Sequence, residues 1–144
     1  MRDPDRVNTV VAEWMLKAEN DLTNAAHTLK LREDCPTDTV CFHAQQCVEK
    51  YLKALLVLLD INFTKPHVIQ ALVGLLPPGT AVELSLEEQR RLTAYAVAVR
   101  HPESPIPSLV EARKALALAR RVRRDGRRLL PRAALRRRKK ERRD

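Results

Sequence analysis

Residues 39–60, TVCFHAQQCVEKYLKALLVLLD, constrain the fold more than any other stretch of this chain. At roughly 100° per residue, Phe42, Val48, Leu52, Leu55, Leu56 and Leu59 share a broad apolar arc, and His43, Gln45, Gln46, Glu49, Lys50 and Lys53 fill the complementary arc. The pattern predicts one central helix. Its apolar arc is wide enough to meet more than one neighbour. ALLVLL at 54–59 has no polar break, which predicts burial nearly all round for the C-terminal half. The polar stripe is confined to the first half, where a ligand site can open.

The remaining segments supply partners for that helix. Residues 1–8 are polar, and Asn8 or Thr9 is placed to cap a first helix from Val10 to about Arg32, with Val11, Trp14, Met15, Ala18, Leu22, Ala25 and Leu29 along one stripe. Cys35 and Pro36 end it, and Thr37 or Asp38 caps the central helix. Beyond that helix, Lys65-Pro66 fixes an extended entry to a brief helix over 67–76, stopped by Pro77, Pro78 and Gly79. Ser85 and Glu88 form a capping box for a helix reaching about Val99, and Ser108 and Glu111 form a second one opening a long final helix. That last helix is predicted to turn Val110, Ala115, Leu118 and Val122 inward, and its pattern decays beyond Gly126. Nothing alternates with period two for long enough to make a strand. The fold class is therefore all-α: an antiparallel bundle of four long helices plus one short helix over residues 1–130, followed by a basic tail, 131–144, read as disordered or helical only on binding.

Charge is distributed very unevenly. Residues 1–119 hold 13 Lys/Arg against 15 Asp/Glu, whereas residues 120–144 hold 14 against 3, so the net charge of +9 originates in the C-terminal part. Such a cluster attracts phosphate through counterion release without reading sequence, and Arg136, Arg137, Arg138, Lys139 and Lys140 are its densest run. A solvated tail that only improves solubility accounts for the run equally well. Five aromatics, Trp14, Phe42, Tyr51, Phe63 and Tyr95, are too few for base-stacking platforms. Cys35, Cys41 and Cys47 lack the spacing of a disulfide framework or a zinc site and read as two core residues and one loop thiol. The N-terminus has no apolar signal region and no apolar run approaches the length of a membrane span, which places the chain in the cytoplasm. No cofactor is implied.

Within the central stretch, FHAQQCVEKYLKALL resembles the helix signature of HEPN-domain proteins. AENDLTNAAHTL upstream is similar to that family's first helix, and KPHVIQAL and YAVAVRHPE downstream resemble two further family segments, in order. The four matches cover roughly residues 12–124. The resemblance implies a small stand-alone HEPN protein of the homodimeric kind, which binds a nucleotide or RNA and is paired with a separately encoded minimal nucleotidyltransferase, in some cases as a toxin–antitoxin module.

Three groups of residues are candidates for function. His43, Gln46, Lys50 and Lys53 lie together on the polar stripe and can line a ligand pocket, although a hydrogen-bonded histidine at the helix surface or a subunit contact explains His43 as well. Many HEPN proteins are metal-independent ribonucleases whose signature sets an Arg a few residues before a His: the cation stabilises the phosphorane charge while the imidazole moves the 2′-hydroxyl proton. Here Arg100 is followed directly by His101, and the downstream positions are Pro105, Ile106 and Pro107, so the proton-transfer residue of the signature is missing. A ribonuclease built on Arg100 and His101 is the rival reading. A cationic pair that complements the end of a helix is the plainer one. The third group is the basic run at 136–140, which makes a non-catalytic module tethered to nucleic acid another alternative.

Overall fold

The computed structural model describes residues 2–64 and 67–135. Among the described residues the main helices are, in order, α1 (Pro4–Leu29), α2 (Thr37–Leu58), α3 (Ile69–Leu75), α4 (Leu86–Ala98) and α5 (Leu109–Leu129), with a 3₁₀ turn, Arg32–Asp34, between α1 and α2. They pack as an antiparallel helical bundle with α2 at its centre, against α1, α3, α4 and α5. Among the described residues no helix is long and apolar enough to cross a membrane.

Local chemistry sets the helix ends, and several differ from expectation. The first helix starts at Pro4, because the Asp3 side chain accepts a hydrogen bond from the Asp5 amide (3.0 Å) and proline at the first helical position has its φ already set. Asn8 and Thr9 are therefore helical, and the Thr9 hydroxyl donates back to the Asp5 carbonyl. At the other end α1 stops at Leu29, before Arg32 takes a positive φ of 55°. The central helix begins at Thr37, whose hydroxyl donates to the Pro107 carbonyl (2.6 Å) and so ties the start of α2 to the segment that leads into α5. Its end is closed from the far end of the sequence: the Arg2 guanidinium donates to the carbonyls of Val57 (2.6 Å) and Leu58 (2.8 Å), which a helix leaves unpaired.

The short α3 begins two residues later than expected, where the Thr93 hydroxyl of α4 accepts from the Ile69 amide (2.9 Å); Lys65 and Pro66 lie outside the described residues. In α4 the capping box forms in both directions between Ser85 and Glu88. In α5 only half of it forms, with the Ser108 hydroxyl accepting from the Glu111 amide.

The core is aliphatic and gathers around α2, where Val40, Val48, Tyr51, Leu52, Leu55 and Leu56 are buried against Val11 and Met15 of α1, Leu92 of α4, and Ala112, Ala115, Ala119 and Val122 of α5. Val110 and Leu59, both expected to turn inward, do not face it. Val110 is 55% exposed, because the buried register of α5 runs through Ala112 and Ala115. Leu59 is 43% exposed just past the end of α2, so burial all round stops at Leu56. Packing also passes residue 130: residues 132–135 form a further helical turn, with Leu130 and Ala134 in the core. The run from Arg136 to Lys140 lies outside the described residues.

Gly126 does not end α5 but lets it close onto α2, since a Cβ there would lie 3.0 Å from Cδ1 of the Tyr51 ring.

Candidate functional site

The polar stripe of α2 is the largest departure from expectation. Gln45, Gln46, Glu49 and Lys53 are all buried rather than facing solvent, bonded to one another and to His67, with Lys53 packed against Trp14 of α1 and Phe63. Two carboxylates organise it. Asp21 of α1 accepts from Nδ1 of His43 (2.7 Å) and from the Lys50 ammonium. Glu49 accepts from the Lys53 ammonium (3.1 Å), the Gln45 amide (3.2 Å) and Nδ1 of His67 (3.0 Å), and the Gln46 amide donates in turn to Gln45. The Lys53 ammonium lies 5.1 Å from the centre of the Trp14 ring and 5.6 Å from that of Phe63, so its charge is held between a carboxylate and two aromatic faces. The four residues expected to line a ligand pocket are thus brought together, but Lys53 and Gln46 are enclosed, and His43 and Lys50, each partly exposed, already share Asp21. A third buried carboxylate, Glu19, takes both its oxygens to Nε of Arg123 at 2.9 Å and lies 3.8 Å from Arg127.

Arg100 and His101 occupy the opposite kind of place. Their amides close the last turn of α4 onto the carbonyls of Val97 and Ala98, and both side chains are exposed, with no ion pair formed by either among the described residues. Pro102, Pro105 and Pro107 keep the following segment out of helix. Pro107 is buried and anchored through Thr37, while Pro105 and Ile106 face outward. The corner therefore presents one guanidinium and one imidazole to solvent, and no second imidazole.

A groove between α4 and α5, of about 680 Å³, is not among the sites expected from the sequence. Arg91 of α4 and Lys114, Arg120, Arg121 and Arg124 of α5 line it together with Ala117 and Leu118, and Glu88 is its one acidic side chain among the described residues. Glu88 accepts from the Ser85 amide (2.9 Å) and from Arg121 (2.5 Å). Its partial burial favours the neutral acid, but the hydrogen bonds from Ser85 and the Arg121 guanidinium outweigh this and hold the carboxyl below the usual glutamate value. The available signal was the spacing of Lys114, Ala117, Arg121 and Arg124, which repeats at three and four residues and places them on one helical face.

The thiols are packing groups. Burial is the main cause that pushes Cys41 up to about 12 and raises Cys47 further, so neither is a thiolate near neutral pH, and Cys35 is half-buried in the loop before α2.

A solved structure with the same arrangement is TT1696 from Thermus thermophilus, which superposes with a TM-score of 0.68 at 24% identity over 85% of this chain and 99% of that one. At that identity the likeness establishes the fold. Among curated proteins nothing matches the chain. The family model described as HEPN domain matches residues 11–129, from early α1 to the end of α5. That span takes in the helical bundle with α2 at its centre, and the chain belongs to the HEPN-domain family.

Proposed function

We propose that the protein binds a nucleotide or RNA without cleaving it, as a homodimer paired with a separately encoded minimal nucleotidyltransferase in the manner of a toxin–antitoxin module, in the cytoplasm. Membership of the HEPN family supports the nucleotide- or RNA-related role. The observation that carries the non-cleaving form is the α4–α5 corner. Arg100 can stabilise charge on a phosphate, but proton removal from a 2′-hydroxyl and proton delivery to the leaving oxygen need an imidazole placed across the reacting phosphate. His101 is adjacent to Arg100 at the end of α4, and Pro105, Ile106 and Pro107 occupy the downstream positions. The rival, a metal-independent ribonuclease using Arg100 and His101, is favoured by one fact: both side chains are exposed and carry no competing ion pair among the described residues.

Purified protein incubated in EDTA with structured and single-stranded RNAs decides between them. Intact RNA is the expected result, and the same preparation should sediment as a dimer of the 16.4 kDa chain. Cleavage lost in both Arg100→Ala and His101→Ala, with both variants still folded, establishes the ribonuclease instead. A monomer at micromolar concentration removes the dimer from the proposal.

A further inference from the structure

We infer that the groove between α4 and α5 is a seat for the phosphodiester backbone of a nucleic acid, an inference that rests on the reading of the protein as a binder of nucleotide or RNA. The groove is a built feature of the folded bundle and is independent of the basic run at 136–140. Lys114 and Arg120 form no ion pair among the described residues. Arg124 is held only loosely, 4.0 Å from Glu83 and 3.7 Å from Asp125, and the Arg91–Glu87 pair is an exposed one of little energy.

Arg121 behaves differently. Its Nη2 is bonded to Glu88, which fixes the guanidinium as part of the groove wall. The cations available to a ligand are therefore Lys114, Arg120 and Arg124, with Arg91 opposite.

Their layout selects a strand over a mononucleotide. From Lys114 to Arg124 the helix rises about 15 Å, which spreads the charge over more than one phosphate. Ala117 and Leu118 lie between the cations, and no aromatic side chain lines the groove among the described residues, so a base has no stacking platform there. Binding of this kind is sequence-indifferent and falls steeply with salt.

The test uses the full chain and a short fluorescein-labelled single-stranded RNA of mixed sequence, with anisotropy read across a potassium chloride series. Three proteins are compared: wild type, the groove variant Lys114→Gln/Arg120→Gln/Arg124→Gln, and a control with the same loss of charge on exposed residues elsewhere, Lys17→Gln/Lys30→Gln/Arg32→Gln. A fourth, with Arg136, Arg137, Arg138, Lys139 and Lys140 all changed to Gln, isolates the basic run. All three groove positions are exposed, so circular dichroism should be unchanged. The groove variant is expected to lose at least about tenfold in affinity and to flatten the log–log salt slope by about 2, at about 0.7 per lost contact to a single strand, with the control near wild type. RNA binding that survives in the groove variant and disappears with the basic run overturns the inference but leaves the binding function standing. Competition by ATP or by polyglutamate as strong as that by unlabelled RNA or DNA also overturns it. A wild-type protein that binds neither RNA nor ATP removes the functional reading itself.

Discussion

The Glu49–Lys53 pair tests whether the polar stripe of α2 holds the bundle together or serves a ligand. Both side chains are almost wholly enclosed, at 3% and 7% exposure, so each charge depends on its partner. Replacing Glu49 with Leu strands the Lys53 ammonium between Trp14 and Phe63. Breaking a buried pair costs about 3–5 kcal/mol, and the two ring faces keep the loss near the lower limit, at about 3 kcal/mol. Replacing Lys53 with Met leaves Glu49 with the Gln45 amide and His67, whose ring is half exposed, so this loss is smaller, at about 2 kcal/mol. The double variant removes both charges and keeps the volume, and only the hydrogen bonds of Gln45 and His67 go unanswered, for about 1 kcal/mol. Singles that add to about 5 kcal/mol against a double near 1 give a coupling of about 4 kcal/mol, far beyond the ~0.5 kcal/mol expected of independent sites. Urea denaturation followed by far-ultraviolet circular dichroism at neutral pH measures all four corners of the cycle. Additivity within about 0.5 kcal/mol refutes the structural assignment. So does a Lys53→Met protein as stable as wild type, and in that event Lys53 returns to the list of ligand-binding candidates.

Two further variants probe α5 and the groove wall. Gly126→Ala gains about 1 kcal/mol of helix propensity, but its new Cβ meets the fully buried Tyr51 ring at 3.0 Å, and overpacking of about 1–3 kcal/mol should win, so a net loss is expected and a raised melting temperature disproves the close-approach account. Glu88→Gln is expected to destabilise the protein at neutral pH. Because the folded carboxyl is held below its unfolded value, the stability it contributes is present above about pH 4.5 and is lost as pH falls through the folded pKa, so the difference from wild type should shrink in acid; a difference independent of pH contradicts the assignment.

Periodicity identified which residues share a face, and for α2 and α4 this was enough to place the helices within two residues. It carried no information about what each face meets. His43, Gln46, Lys50 and Lys53 do share a side of α2, but Asp21 lies 29 residues from Lys50 in the chain and turns that side into an internal contact. Helix ends were legible where a side chain offers one unambiguous cap, as Ser85 does. They were misplaced where two caps compete: Asp3-Pro4 starts α1, although Asn8 and Thr9 carry suitable side chains. Where the helix end is closed by Arg2, 55 residues away, no local signal existed.

The same limit governs charge. Summed by segment, the basic residues from 120 onward look like one cluster, yet within α5 the fold sorts them by side. Arg123 turns onto buried Glu19, 104 residues earlier in the chain, and Arg127 approaches the same carboxylate, so these two cations stabilise the contact between α1 and α5. Arg121 is fixed by Glu88 of α4. What remains available on the groove side of α5 is Lys114, which precedes the basic segment, together with Arg120 and Arg124. An anion approaching α5 therefore meets only part of the charge the sequence sum assigns to it. Which Arg and Lys residues it meets is decided by the acidic residues of α1 and α4 that have already paired with the others.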